Sequence, residues 1–408
     1  MSAPLRGASF PRDRISHVRL VHLADLHLGF RQYQRLTPAG INQREADVAA
    51  AFVRAVDRVI ELAPEFVVVA GDVFHQVRPT NPAIVHAFGQ FARLVRALPR
   101  SRVVMIAGNH DAPRSRDTVC ILRLFSQLGI DVVDGEPRQL RFGDVSMFCV
   151  PDLPRLDVEL VPDPTARYNV LVLHGEPRGL LPTYEGQERA SLVVAPEDLA
   201  RPGWDYVALG HYHVHHQVGP HAWYSGSIEY TSSNPWAELR EERAGRIPGK
   251  GIVEVDLANG THTFHPLPLA RAFVDLPPID GRGAGAVDLD AQIAAAVARC
   301  PGGIEDKVVR LVVRDVPRHL ARDLDHRALR EYRRRALHFH LDARPPEVSR
   351  SSASGAPGQP ATLAETLRSH LRARPLDAEL DREKFVALGV GYLAAVDAES
   401  GPGGAEPL

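Results

Sequence analysis

The chain has 408 residues, with 44% hydrophobic residues, 24% charged residues and a formal net charge of −2, which is typical of a folded globular protein and allows two or three domains. No apolar run approaches the roughly 20 residues of a membrane-spanning helix, and residues Met1–Arg14 lack the apolar stretch of a secretory signal. The three scattered cysteines argue against a disulfide framework and a thiolate zinc site, so we expect a cytoplasmic protein; the near-neutral charge gives no support to nucleic-acid binding.

Composition and periodicity divide the chain into segments. We expect an N-terminal extension (1–15), a main domain (16–270), a smaller domain (271–342), a linker rich in Pro, Ser and Gly (343–361), a helical segment (362–398) and a disordered tail (399–408). The helical segment opens with Thr362 and Glu365 at the spacing of a capping box.

The main domain carries apolar runs typical of strands that are buried on both faces. They are Val18–Leu23, Phe66–Val69, Val103–Ile106, Val170–Leu173 and Tyr206–Leu209. An amphipathic helix is predicted over Asn42–Ala63, between the first two runs. The resulting β-α-β pattern predicts a layered α/β fold in which helices cover a mainly buried sheet.

Polar side chains follow every one of these runs. In chain order they are Asp25 and His27, Asp72 and His75, Asn109 with His110 and Asp111, His174, and finally His211 and His213. The carboxyl ends of parallel strands are where open α/β sheets bind ligands. The glycines beside these side chains allow tight turns and close approach of the backbone.

These side chains offer oxygen and nitrogen ligands without a thiolate, which suits Mn, Fe or Zn better than Ca or Cu(I). Without His75, His110 and Asp111, the set holds seven candidate ligands: two Asp, one Asn and four His. Seven ligands are too many for one tetrahedral ion, but they fit two ions about 3.5–4 Å apart that share a bridging carboxylate. A single histidine at a strand end is more often structural than a ligand. Five such ends in one segment predict a two-metal site, in which His75 is either a site residue or merely polar.

The series Asp25-x-His27, Gly71-Asp72, Gly108-Asn109-His110-Asp111, His174 and Gly210-His211-x-His213 resembles the signature of the calcineurin-like metallophosphoesterases. Within that superfamily, residues 22–30, 71–80, 108–115 and 206–231 resemble the SbcD-type nucleases, which process DNA double-strand breaks. The resemblance implies a layered fold of central β-sheets flanked by helices, a small α+β capping domain and C-terminal helices.

The same resemblance assigns roles to residues. One metal would be held by Asp25, His27, Asp72 and His213, and the other by Asp72, Asn109, His174 and His211, with Asp72 as the bridge. His110 would act as a transition-state stabiliser or general acid oriented by Asp111, and His75 would lie beside the metals. The implied cofactors are two divalent transition-metal ions, with Mn²⁺ expected first and Fe or Zn as alternatives.

The implied function is that of a metal-dependent DNA exo- or endonuclease in double-strand-break repair. The implied partners are DNA, a second copy of the chain and an SbcC-like ABC-type ATPase, because the chain itself shows no nucleotide-binding motif. Two alternatives stay open: a metallophosphoesterase acting on small-molecule or protein phosphoesters, and an inactive scaffold for an ATPase.

Several segments allow two interpretations. The apolar stripes of Pro82–Leu98 and Asp117–Leu128 fit either packing on the sheet or a homodimer interface, and the basic stretch Arg318–Arg335 fits either a solvated face or a phosphate contact. The C-terminal helices are expected to dock either on the nuclease domain or on the ATPase. The charged segment Ser232–Gly251 is longer than the connection that the family leads us to expect, which leaves substrate specificity open.

Overall fold

A computed structural model describes residues 18–113, 119–182, 189–346, 362–374 and 381–399. The chain forms two compact units, residues 1–344 and residues 345–408. The predicted N-terminal extension, most of the predicted linker (347–361) and residues 400–408 of the predicted tail lie outside the described residues.

The strands of the first unit are, in chain order, β1 (Arg19–Leu23), β2 (Phe66–Ala70), β3 (Arg102–Ile106), β4 (Asp131–Val133), β5 (Arg138–Phe142), β6 (Val145–Val150), β7 (Tyr168–His174), β8 (Glu176–Pro177), β9 (Val193–Val194), β10 (Tyr206–Gly210), β11 (His216–Gln217), β12 (Ala222–Tyr224), β13 (Gly251–Asp256), β14 (Thr261–Pro266), β15 (Phe273–Asp280), β16 (Val308–Arg314) and β17 (His338–Ala343). Its helices are α1 (Gln43–Leu62), α2 (Asn81–Ala97), α3 (Pro196–Leu199), α4 (Pro235–Gly245), α5 (Ala286–Ala298), α6 (Arg318–Asp323), α7 (His326–Arg335) and the 3₁₀-helix Ile121–Leu128.

Two sheets form the centre of the first unit. One has the strand order β14-β13-β1-β2-β3-β4, and the other has the order β11-β12-β10-β7-β6-β5. Strands β1 to β4 run parallel, as do β6, β7, β10 and β12. The predicted strands are β1, β2, β3, β7 and β10, so they are divided between the two sheets and leave their carboxyl ends on a common side of the molecule.

The apolar strands bury both of their faces. Val68 and Val104 of the first sheet pack with Val170 and Ala208 of the second. The other face of the first sheet is covered by α1, α2 and the 3₁₀-helix, through side chains that include Phe52. This packing confirms the layered α/β fold, and it explains why the strands read as continuous Val/Ile/Leu runs.

The two apolar stripes that allowed a homodimer interpretation belong partly to this core. Phe91 of α2 and Phe125 of the 3₁₀-helix are buried, with their ring centroids 4.9 Å apart. Ile84, Phe88 and Val95 pack against the same core and are only partly buried. The predicted second stripe begins at Asp117, which lies outside the described residues.

Residues 273–343 form a separate layer of the first unit, in which β15, β16 and β17 are parallel. Helix α5 connects the first two strands, α6 and α7 connect the last two, and Leu289, Leu311 and Phe339 lie in their shared core. Arg44 of α1 is buried and pairs with Asp47 at 3.0 Å and with Glu229 at 3.2 Å. Its guanidinium also lies 4.9 Å from the centre of the Phe273 ring on β15, which joins this layer to the main sheets.

The second unit contains α8 (Leu363–Ala373) and α9 (Arg382–Glu399). The predicted capping box forms, because the Thr362 amide donates to the Glu365 carboxylate over 2.8 Å and the Glu365 amide donates to the Thr362 hydroxyl over 3.3 Å. Leu371 and Val386 are buried within this unit. Among the described residues, no helix of either unit combines the length and the apolar character needed to cross a membrane.

Candidate metal centre

The carboxyl ends of the parallel strands bring the predicted site residues into one cleft. Asp25 and His27 follow β1, Asp72 follows β2, Asn109 follows β3, His174 ends β7, and His211 and His213 follow β10. Two groups that include a carboxylate have their possible ligand atoms within 4.8 Å of one another: Asp25, His27 and His213, and Asp72, His174 and His211. A third group that meets the same distance consists of His27, His75 and His110.

Asp72 lies between the two groups. Its Oδ2 atom is 3.7 Å from Nε2 of His27 in the first group and 3.5 Å from Nε2 of His174 in the second. The Asn109 Oδ1 atom belongs to the second group, 3.0 Å from Nε2 of His174 and 3.2 Å from Nδ1 of His211. This arrangement is what a carboxylate shared by two ions requires.

Contacts of the ligand candidates indicate that the cleft is built for positive charge. The Nδ1 atom of His174 is 2.8 Å from the Ala70 carbonyl oxygen, to which it can only donate, so Nε2 of the neutral ring presents a lone pair. That lone pair faces oxygens of Asp72 and Asn109, which are also electron donors. Burial alone would lower the pKa of His174, but the neighbouring Asp72 raises it to about 10. A proton or a metal ion must balance these groups, and the nitrogen and oxygen donor set fits divalent Mn, Fe or Zn.

Glycines permit the close approach of the loops that carry these side chains. A Cβ atom at Gly108 would lie 2.1 Å from Oδ1 of Asp72, and one at Gly210 would lie 1.8 Å from the Ala70 carbonyl oxygen. Both distances are far below van der Waals contact, so a larger residue would displace a ligand loop. The sequence predicts this close approach, because both glycines stand beside candidate ligands at strand ends.

His110 and His75 lie at the edge of the first group. The His110 ring centroid is 4.7 Å from that of His27 and 5.2 Å from that of His75. The backbone amide of His110 donates to Asp72 over 2.9 Å, and its Nδ1 atom lies 2.8 Å from the His75 carbonyl oxygen. Since a carbonyl oxygen only accepts, Nδ1 carries the proton of a neutral ring, and the lone pair of that ring is on Nε2.

Asp111 acts on this region through the backbone. Its buried carboxylate accepts hydrogen bonds from the amides of Val73, Phe74 and Gly108, over 3.1, 3.0 and 3.1 Å. Burial and the charge of Asp72 raise the pKa of Asp111 to about 7. Asp111 therefore ties the loop after β2 to the loop that carries His110. The orientation of the His110 ring by Asp111 stays a prediction.

Two carboxylates that were not predicted from the sequence lie behind His211 and His213. Glu176 Oε1 is 2.9 Å from Nε2 of His211, and Glu238 Oε1 is 3.8 Å from Nδ1 of His213. Glu176 could have been found, because it follows His174 at i+2 and ends the predicted motif. Glu238 lies on α4, within the charged segment that the sequence could not interpret.

A cavity of about 320 Å³ opens onto the candidate ligands. Its lining includes the candidate site residues Asp72, His110 and His213, together with Arg31, Gln32, residues 231–234 and side chains of α4. The cleft is therefore large enough for a phosphate group together with part of its substituents.

Comparison with known proteins agrees with this geometry. Residues 18–215 match the family model described as calcineurin-like phosphoesterase. The chain is 25% identical over 249 residues to the DNA double-strand break repair protein Mre11 of Saccharolobus solfataricus, an alignment that covers 59% of this chain and 61% of the relative. It is 27% identical over 204 residues to Mre11 of Sulfolobus acidocaldarius, covering 48% of this chain and 50% of the relative. The match to Mre11 of Methanococcus maripaludis is 36% over 100 residues, covering 24% of each protein. The chain therefore spans about half to three fifths of the length of the first two relatives.

Proposed function

We propose that this chain, whose residues 18–215 match the calcineurin-like phosphoesterase family, hydrolyses phosphodiester bonds of DNA with the aid of two divalent metal ions. The observation that carries the proposal is the position of Asp72 between two ligand groups, with its carboxylate 3.7 Å from one imidazole and 3.5 Å from the other. The similarity to proteins named for DNA double-strand break repair supports DNA as the substrate.

The proposed ligands of one ion are Asp25, His27, Asp72 and His213, and those of the other are Asp72, Asn109, His174 and His211. When bound, two such ions supply Lewis acidity toward the phosphodiester and make water a better nucleophile near neutral pH. We propose Mn²⁺ as the first ion to test, with Fe and Zn as alternatives, because the nitrogen and oxygen donor set without thiolates suits these three ions better than Ca or Cu(I).

The protein itself supplies the proton transfer. In the protonated His110 ring, Nδ1 donates to the His75 carbonyl oxygen, which leaves Nε2 as the donor to the leaving oxygen of the phosphodiester. His75 also presents Nδ1 at 3.4 Å from Nδ1 of His27, so its proposed role is to position that ligand.

Contacts of the loop after β1 suggest a path for DNA toward the cleft. Arg35 donates to the carbonyl oxygens of Arg334 and Ala336, each over 2.8 Å, and the Tyr33 ring stacks on His338 at 3.9 Å. The arginine-rich last turn of α7 thus lies beside the loop whose Arg31 lines the cavity. We propose that phosphates contact this basic turn, since such contacts orient DNA without reading its sequence.

A test of the function compares single-stranded DNA, hairpin DNA and an aryl phosphodiester as substrates of the purified protein with Mn²⁺. We expect cleavage of DNA by the wild-type protein, and loss of both activity and most bound metal in Asp72→Asn. Cleavage of the aryl phosphodiester but not of either DNA substrate would favour the small-molecule alternative. Metal binding without any cleavage would favour the scaffold, and active protein without a transition metal would refute the two-metal assignment.

The proposed partners are a second copy of the chain and an SbcC-like ABC-type ATPase. The helical pair of the second unit exposes Leu363, Leu388 and Tyr392, at 68%, 59% and 68% of their surface. We propose that this apolar surface binds the ATPase. Deletion of residues 362–408 should leave Mn²⁺-dependent DNA cleavage intact and abolish co-purification with the ATPase. If the truncated protein still binds the ATPase normally, this assignment is refuted. If the truncated protein unfolds, docking of the C-terminal helices on the nuclease domain is favoured instead.

A further inference from the structure

The charged segment 232–251 holds a buried ion cluster directly behind His213. We propose that Glu238 of α4 is a positioning residue that orients His213 for metal binding, and that Lys250 holds Glu238 in place. The inference deepens the proposed two-metal function and rests on it. It also gives the unexpectedly long segment a role in building the site.

Lys250 is the centre of the cluster and is only 2% exposed. Its ammonium donates to Glu238, lies 3.1 Å from Glu242, and donates to the backbone carbonyl of His213 over 2.8 Å. It also lies 4.5 Å from the centre of the Tyr230 ring. One cation therefore binds both the carboxylate behind the histidine and the backbone that carries the histidine.

The two ring nitrogens of His213 have different surroundings. Nε2 points into the cleft, 3.0 Å from Nε2 of His27. Nδ1 is buried and has no hydrogen-bond partner among the described residues, and it faces Glu238 Oε1 at 3.8 Å. If Nε2 is the ligand atom, Nδ1 must carry the proton. Glu238, which also accepts a hydrogen bond from Ser232, then provides the acceptor for that N–H group.

His211 shows the same arrangement with the contact already closed. Its Nε2 atom is 2.9 Å from Glu176, whose other oxygen pairs with Arg189 at 3.0 Å. In both cases a carboxylate lies behind the imidazole, and a basic side chain holds the carboxylate. A carboxylate in this position fixes the ring orientation and increases the basicity of the metal-binding nitrogen.

The cost of burial argues against a purely structural cluster. A buried carboxylate needs compensation, and Glu238 and Glu242 share a single lysine, which leaves a formal charge of −1 next to His213. Cations bound by the histidines would offset that charge. A cluster that served only to anchor α4 would not need an additional carboxylate aimed at a ligand ring.

The test is the affinity for Mn²⁺, measured by calorimetric titration of chelator-treated full-length protein. Glu238→Gln should weaken one of two binding steps by about 10–100-fold, and higher Mn²⁺ should restore cleavage. Glu242→Gln is the matched control, because it removes the same charge from the same helix and the same lysine partner without facing His213, and it should weaken Mn²⁺ binding much less than Glu238→Gln does. Glu238→Asp, which retains the charge, should show a smaller loss and serves if the glutamine variant does not fold.

A double-mutant cycle separates positioning from general stability. In the His213→Ala background, Glu238→Gln should cause no further loss of Mn²⁺ affinity. Wild-type affinity in a folded Glu238 variant, equal losses in the Glu242 control, or additive losses in the cycle would each overturn the inference. Failure of the wild-type protein to bind two ions would instead refute the proposed function.

Discussion

Stability in mild acid should depend on His22, a histidine in the middle of β1 that is far from the surface. Its side chain is 0% exposed, and Nδ1 is 3.0 Å from the Tyr206 hydroxyl group on the facing sheet. Its other ring nitrogen, Nε2, has no hydrogen-bond partner among the described residues. Burial, reinforced by nearby His215, lowers the pKa of His22 to about 3.

The sign of the effect follows from the pKa difference between the two states. In the unfolded chain His22 titrates near 6.5, so between about pH 6.5 and pH 3 the unfolded state binds more protons than the folded state. The contribution of His22 to stability is fully present above about pH 6.5 and is lost as the pH falls. At pH 5 the pKa of His22 in the unfolded chain lies about 1.5 units above the pH. Protonation of the unfolded chain therefore lowers the free energy of unfolding by about 2 kcal/mol.

The assay is urea unfolding of chelator-treated protein at pH 7.5 and pH 5. Between these conditions the free energy of unfolding of the wild-type protein should fall by about 2 kcal/mol more than that of His22→Gln. Tyr206→Phe is the control, because it removes the hydrogen bond but keeps the titrating ring. Its pH dependence should remain that of the wild type. His215, whose pKa is lowered to about 4 mainly by burial, contributes in the same direction in all three proteins. Equal losses in the wild type and His22→Gln would refute the reasoning.

Three further predictions concern the candidate metal centre. Gly210→Ala places a Cβ atom 1.8 Å from the Ala70 carbonyl oxygen. The free energy of unfolding, measured in urea, should therefore fall by about 2 kcal/mol or more. Gly135→Ala is the control: its Cβ atom meets no atom within 4 Å, so its free energy of unfolding should change little. His110→Ala should retain Mn²⁺ by elemental analysis yet lose about 10²–10⁴-fold in turnover, the usual contribution of a general acid; unchanged turnover would remove His110 from the mechanism. His211→Gly and His211→Ala both remove the same candidate ligand. Since φ of His211 is +107°, a conformation that favours glycine, metal-free His211→Gly should be about 1 kcal/mol more stable to urea than metal-free His211→Ala. Equal stabilities of the two variants would contradict backbone strain at His211.

The sequence was sufficient to predict the layered fold and the position of the cleft. The five predicted strands end at Leu23, Ala70, Ile106, His174 and Gly210, within one residue of the predicted ends. Local signals determine these boundaries, because a strand buried on both faces must be apolar and a glycine must stand where loops converge. The capping box at Thr362 is equally local, since both of its hydrogen bonds lie within one helical turn.

The rest depends on contacts between residues distant in sequence. The sequence pattern does not show that β7 and β10 belong to a second sheet, because a buried strand has the same apolar composition in either sheet. Glu238 and Lys250 are 12 residues apart, and only the course of the chain after α4 brings them together behind His213. Residues 232–251 carry both side chains. In the sequence this segment resembles a charged, solvent-exposed connection, because buried ion pairs use the same residue types as a solvated surface.

The backbone conformation of three candidate ligands also cannot be predicted from the sequence, and it links the two loops that carry them. Asp25, His27 and Asp72 have φ angles of +54°, +45° and +52°, in the left-handed region that residues other than glycine seldom adopt. The amides of Asp25 and His27 donate to the carbonyl oxygens of Gly71 and Asp72, over 3.0 and 2.9 Å, so the loops after β1 and β2 hold each other in this conformation. Such conformations persist only where the surrounding structure imposes them, and they cluster at functional sites. The first two strands thus do more than end at the same edge: their loops form a single hydrogen-bonded unit, and a change in either loop will move proposed ligands of both ions.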